Sequence, residues 1–324
     1  MKQRYPAVGL NRITACFGYT RQAWYQHEDV LMSHYEMEKV VVEQVKRKRK
    51  KLKLRKLGTR KLYHVLNEEL KELGIYIGRD KLFTILRENN LLIKKKRNRA
   101  ITTNSNHRFK KYKNLIQGTT PTRPDEQYAA DITYIKLLGP EDFCYLHLIT
   151  DLYSHKIVGW HLSRSLAAKE SRKALKMALK QRKNKNLPLI HHSDRGVQYC
   201  SNKYVQDLRN AGVSISMTES YDPYQNAAAE RVNGILKDEL DLGARFMSFE
   251  EAFAWTSDAI EVYNFNRPHL SINMLTPDQA HQMSGPIKKL WKNYYQLKLK
   301  NRESNKPLEK RRKKRFDGEF MPSK

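Results

Sequence analysis

The chain has 324 residues, room for two or three domains, and its 62 Lys and Arg against 34 Asp and Glu give a formal charge of +28. Such an excess repels itself unless a polyanion is the usual partner, so nucleic acid is the first candidate and a membrane surface the second. Apolar runs fall short of the roughly 20 residues of a membrane-spanning helix, and no signal-peptide pattern opens the chain, so a cytoplasmic protein held on nucleic acid is expected. The scattered cysteines Cys16, Cys144 and Cys200 suggest neither a disulfide framework nor a cysteine-rich zinc site and read as small buried hydrophobes.

In chain order, residues 10–16 and a segment from Thr20 through Arg21, Gln22, Trp24 and Tyr25 predict two short helices, because Gly18 suits a helix end and Thr20 a helix start. A helix-turn-helix and a packing hairpin around Trp24 and Tyr25 both fit. Residues 35–56 also read as helical, and positions 46–56 hold nine Lys or Arg, with Leu52 and Leu54 the exceptions. That density favours phosphate contact through counterion release over a merely solvated face, and it carries no base specificity. A second bihelical unit follows. Leu62, Leu66, Leu70 and Leu73 recur at helical spacing over residues 59–73, and residues 79–89 bury Leu82, Ile85 and Leu86 while exposing Arg79, Lys81, Thr84 and Arg87. Those four polar side chains suit a DNA groove, the alternative being a plain helical packing domain. Basic runs at 94–99 and 108–113 form a linker whose Phe109 and Tyr112 can stack on an unpaired base or simply join two folded parts.

From residue 127 the pattern changes to strands. Residues 128–136, 143–151 and 156–162 are rich in β-branched and aromatic residues and predict an antiparallel meander. Helix is expected over 166–182 and 202–211, strand over 187–192 and 213–217. Further helices run from Asn226 to about Leu240 and from the Ser248 cap through Trp255 to Phe265, where Arg267-Pro268 stops the last. The result is a mixed α/β sheet preceded by all-helical segments. Six consecutive basic residues at 310–315 read as a phosphate-binding or disordered arm.

Asp is disfavoured inside strands, so Asp131 between Ala130 and Ile132 needs a reason. Asp194 follows the strand ending at His192, and Glu230 lies on the helix after the last strand, with 35 residues between these two acids. Taken singly, Asp194 is also an Asx-turn residue before Gly196, and Glu230 a solvated residue beside Arg231. Brought together, three carboxylates repel one another, and divalent metal relieves the repulsion. Hard oxygen ligands suit Mg²⁺ or Mn²⁺, and two such ions roughly 3.5–4 Å apart can serve both sides of a phosphodiester. Ala227, Glu230, Asn233, Gly234 and Lys237 recur at helical spacing, so Asn233 and Lys237, with Arg195 beside Asp194, are expected to meet DNA near the acids. Asp151 reads as an ion-pair partner of Lys156 or Arg164, or as an added metal neighbour. His191 and His192 point to opposite sides of a strand, which makes one of them a packed histidine. Being consecutive, His192, Ser193 and Asp194 cannot act as a nucleophile relay.

The words Asp131-Ile-Thr-Tyr134, His192-Ser-Asp-Arg-Gly196 and Tyr263-Asn264 through Arg267-Pro268-His269, with the spaced Asp, Asp and Glu, resemble retroviral-type integrases. They are similar in particular to the integrase-like transposases of the insertion-sequence-three family. Retroviral integrases carry a His/Cys zinc module ahead of the core, which is missing here, and Tyr128 stands where related proteins often have Trp. The resemblance implies a ribonuclease-H-like integrase core of five strands, with Asp131, Asp194 and Glu230 as catalytic acids and metal ligands. It implies a subunit that binds the terminal repeats of its element, exposes 3′ hydroxyls and joins them to target DNA by direct transesterification. An upstream-frame helix-turn-helix protein and further copies of the chain are the implied partners. The expected division is a helical, basic segment at 1–57, a helix-turn-helix-type DNA-binding domain at 58–100, a basic linker at 101–122, the catalytic core at 123–286 and a basic tail at 287–324. A transposase-derived regulator without catalysis and a general Mg²⁺-dependent nuclease are the alternatives.

Overall fold

The computed structural model of the chain describes residues 7–93, 108–139, 143–183, 185–219 and 227–290. The basic run at 94–99 and the arm at 310–315 lie outside these residues. Helix α1 (Leu10–Cys16) is followed by Gly18 at φ 71°, and the Thr20 hydroxyl accepts from Ala23 N to open α2 (Arg21–Lys51). The two separate stretches expected here are one helix of 31 residues, because no Gly or Pro interrupts positions 21–51. Helices α3 (Thr59–Glu72) and α4 (Arg79–Glu88) meet through Leu62, Leu66, Leu70, Leu82, Ile85 and Leu86, all buried, and pack on Val41 and Val45 of α2. Leu73, expected on that apolar face, is 53% exposed, since it sits at the C-cap beyond the last full turn.

The basic run at 46–56 has two uses. Arg49 is buried and donates to the carbonyls of Leu57 and Leu91, while Lys48 pairs with Glu69. Lys53 pairs with Asp258, and Lys56 with Asp241, both in the α/β part of the chain. Nearly half of the run therefore fastens protein to protein, and the other five members, Lys46, Arg47, Lys50, Lys51 and Arg55, are exposed.

Strands β1 (Gln127–Leu137), β2 (Phe143–Asp151) and β3 (Ile157–Ser163) form the antiparallel meander, and β4 (Ile190–Ser193) and β5 (Ser214–Met217) extend it in parallel on the other side of β1. The order is β3-β2-β1-β4-β5, the five strands expected, and a two-residue β6 (Arg245–Phe246) joins the end of β1 as an addition. Helix α5 (Ala168–Gln181) lies against β3 at Gly159, where a Cβ would come within 2.3 Å of the Ala174 carbonyl oxygen. Short α6 (Val197–Cys200) and α7 (Asn202–Asn210) connect β4 to β5. Helices α8 (Ala227–Asp238), α9 (Phe249–Phe265) and α10 (Pro277–Ala280) complete the described chain.

Alternation along β1 separates two apolar cores. Tyr128 and Ala130 face the one beneath α5 and α7, whereas Ile135 and Leu137 face α8 and α9, in a cluster continuous with α2, α3 and α4. Asp131 has the parity of Ile135, so it points toward α8. The linker at 108–119 is fastened to the sheet edge: Met217 N donates to the Lys113 carbonyl, Leu115 N to the Ser216 hydroxyl, and Tyr112 packs on the α5 side. Cys144 and Cys200 are buried as expected; Cys16, at the exposed end of α1, is not. No helix among the described residues is long and apolar enough to cross a membrane.

Candidate active site

The parallel pairing of β1 with β4 sets the geometry. Ala130 stands opposite Ser193 at the last rung of this ladder, so Asp131 and Asp194 leave it side by side. Asp194 then turns the chain: its Oδ1 accepts from Gly196 N at 3.0 Å, and a Cβ on Gly196 would crowd the same oxygen. Asp131 Oδ1 accepts from Ile132 N at 2.9 Å and Oδ2 from Asn233 Nδ2 at 2.7 Å, which ties the strand to α8.

Burial, and then the negative charge of Asp194, push the Asp131 carboxyl up to about 7; Glu230 adds a smaller push, and the two hydrogen bonds oppose it. Asp131 thus keeps its proton near neutrality because it is buried beside a second acid. Lys237, lowered by its own burial and pulled back by Asp131, is the basic group within reach. Glu230 lies in the exposed first turn of α8 and acts on Asp131 more weakly than Asp194 does. Among the described residues, the three acids do not place their ligand atoms within 4.8 Å of one another.

Asn233 Oδ1 and the Tyr199 hydroxyl are buried here without a hydrogen-bond partner. Tyr199 is raised well above the ordinary phenol range by burial and then by Asp131 and Asp194, which places it behind the acid pair. Sequence reasoning gave Asn233 a DNA contact and did not single out Tyr199. Asn233 is 7% exposed and donates to Asp131. Its helical spacing of three from Glu230 was the available signal; for Tyr199 there was none beyond its place five residues after Asp194. Arg195 is half-buried next to Asp194. Ala227, expected on the same face as Glu230, lines a cleft on the other side of α8 with Arg231.

The donor set fits divalent metal. Two carboxylates from adjacent strands, a third on a neighbouring helix and an unpartnered amide oxygen are hard ligands, and a cation would offset the Asp194 charge that adds to burial in raising Asp131.

A different trio, Asp125, Asp151 and His281, brings its ligand atoms within 4.8 Å. Its oxygens are occupied. Asp151 Oδ1 accepts from Ser154 N and Oγ, Asp151 Oδ2 from Asp125 N, and Asp125 Oδ1 from the Tyr128 hydroxyl. Neither pairing expected for Asp151 forms, because Lys156 pairs with Asp278 and Arg164 lies over the Phe249 ring. His191 and His192 are both packed, against the Tyr204 hydroxyl and the Ser216 hydroxyl.

On α4, Arg79 pairs with Asp80 and Lys81 with Glu38 while both stay exposed, Arg87 is exposed, and half-buried Thr84 donates to the Asp80 carbonyl. The polar face expected there exists, with two of its charges partly compensated.

Known proteins bear on these features. The family described as Integrase core domain matches residues 121–223, and a second family of the same description matches residues 211–277. The insertion element IS600 31 kDa protein of Shigella sonnei is 36% identical over 241 residues, covering 72% of this chain and 88% of that protein. Transposase InsF for insertion sequence IS3A of Escherichia coli is 32% identical over 216 residues, covering 66% and 74%. Among solved structures, the HTLV-2 integrase catalytic core domain in complex with magnesium is 18% identical, with 50% of this chain and 99% of that one aligned at a TM-score of 0.40.

Proposed function

We propose, for a chain that belongs to the insertion-sequence-three family of integrase-core transposases, that it binds the ends of its element and carries out strand cleavage and strand transfer at Asp131, Asp194 and Glu230. The observation that carries this reading is the Asp131 carboxyl pushed up beside Asp194 where β1 and β4 part. Divalent metal, two Mg²⁺ or Mn²⁺ ions held by these acids, would supply Lewis-acid polarisation of the phosphodiester and a more acidic attacking water.

The protein's own residues do the rest. Asn233 holds the Asp131 carboxylate in place, and the Asp194 turn keeps that carboxylate at the strand end. Lys237, half-buried beside Asp131, meets a phosphate oxygen, and Arg195 and the exposed face of α4 (Arg79, Lys81, Thr84 and Arg87) carry DNA. Cleavage adds water across a phosphodiester and leaves a 3′ hydroxyl. Joining lets that hydroxyl attack a target phosphodiester, so one P–O bond forms as another breaks, with a new 3′ hydroxyl as leaving group.

An upstream-frame helix-turn-helix partner, assembly of several copies on DNA, a cytoplasmic location and the five-part division with boundaries at 57, 100, 122 and 286 belong to the same proposal. The test uses labelled element ends with Mg²⁺, with and without the upstream-frame protein. Joined products from the parent chain, lost in Asp194→Asn and Glu230→Gln, support the reading. Specific binding without cleavage in any combination replaces it with a regulator, and cutting of unrelated nucleic acid without joining replaces it with a nuclease.

A further inference from the structure

The face of α8 opposite the acids borders a cleft of about 780 Å³, within the range of about 300–1,000 Å³ that suits small ligands. Its floor is largely apolar, with Val232 and Ile235 of α8 and Ile272 beyond α9. Four cations line it, Lys61 from α3, Arg231, Arg267 and Lys289, and among the described lining residues there is no Asp or Glu. The acid nearest these cations, Glu239, is already engaged: Arg267 donates to both its oxygens at 2.8 and 2.9 Å, and Lys61 lies 3.3 Å away. Lys61 is lowered to about 8, first by burial and then by the positive charge of Arg267, with a further push from Arg231, so the cluster carries more cation than Glu239 compensates. Tyr263, wholly buried on the cleft wall, has a hydroxyl without a hydrogen-bond partner. His155 and His269 lie beside it with ring centres 5.9 Å apart, and burial holds both rings neutral.

We propose that this cleft receives one unstacked nucleotide of the bound DNA, its base inward over the apolar floor beside the histidines and its phosphate on Arg231 and Lys289. The proposal rests on the DNA reading above. Charge excess at the mouth calls for an anion and the apolar floor for a ring, a combination that a nucleotide supplies. Position supplies the rest. A strand engaged at Glu230 is separated from the cleft by the width of one helix, about 10 Å, so a base leaving the stack next to the reacting phosphate has this cavity within reach.

The test uses element-end duplex carrying 2-aminopurine at one position at a time and the full chain. Fluorescence is expected to rise on binding at one position near the cleaved phosphate, as that base leaves the stack. Ser271→Trp, which fills the cleft, should abolish the rise. Lys289→Gln should reduce the salt slope of binding by about one, as expected for one lost phosphate contact. DNA that is bound and joined while 2-aminopurine stays silent at every position, or brightens equally in Ser271→Trp, overturns the cleft and leaves the transposase standing. A rise abolished by free deoxyadenosine monophosphate while the DNA stays bound would show a mononucleotide pocket and also overturn it. DNA ends neither bound nor joined by the parent chain overturn both.

Discussion

Two acid groups stand along the same central strand and differ in what their oxygens touch. Asp125, just ahead of β1, and Asp151, opposite Tyr128 in the register, form a closed set: backbone N–H groups, two hydroxyls and His281 meet their oxygens. Asp131 and Asp194 form a more open one, in which the charge of Asp194 adds to burial in raising Asp131, and Asn233 Oδ1 and the Tyr199 hydroxyl have no hydrogen-bond partner. Proximity alone would choose the first group as the metal site. In the first group the protein's own donors leave little for a cation, and the proposed placement of metal at the second follows from the Asp194 charge that adds to burial in raising Asp131.

Substitutions separate the groups most sharply. Asp194→Asn should lower joining by about a thousandfold or more, as expected when one member of a cooperating set is removed. In the metal-free protein it should also raise the melting temperature, because it relieves repulsion with Asp131. Asp151→Ala should do the reverse, costing about 3 kcal/mol in urea unfolding because the buried N–H groups of Asp125 and Ser154 lose their acceptor. Equal stability loss in both variants would erase the distinction. A smaller effect is expected at the bridge between strand and helix: Asn233→Leu keeps the volume, removes the donor to Asp131, and should reduce joining by about 10–100-fold. Its affinity for element ends without metal should stay near the parent value, an outcome that a direct DNA contact by Asn233 would contradict.

How legible each region was follows from the range of its interactions. The α3 and α4 pair could be read from Leu62, Leu66, Leu70, Leu82, Ile85 and Leu86, since helical periodicity is local, and the meander from its β-branched and aromatic runs. The acids were visible because Asp131 is an anomaly in a strand and because the surrounding words are specific. The closed set was not visible: Asp125, Ser154 and His281 are brought together by a strand end, a turn and a helix end far apart in sequence. Neither was the division of the basic run at 46–56, because whether a lysine meets phosphate or an acid such as Asp258 depends on tertiary contact. The 3.6-residue repeat also continued unbroken where two helices were expected, since exposed polar residues mark no boundary unless Gly or Pro stands among them.

The smallest expected effect concerns pH in metal-free protein. Asp131 binds its proton up to about 7 in the folded chain, against an ordinary value of 3.8. The folded state therefore holds more protons than the unfolded state between these values, so stability is fullest below the lower one and falls as pH rises through the upper one. Because the group is half-buried and open to screening, the loss should be on the order of 1 kcal/mol. It should be read as a falling melting temperature between pH 4 and 7 relative to Asp131→Asn, which cannot titrate there. Added Mg²⁺ should flatten the difference at pH 7, since binding to the charged pair returns what their repulsion removed. A parent chain whose stability tracks that of Asp131→Asn across this range would mean that Asp194 does not crowd Asp131, and the open site would lose the feature that separates it from the closed one.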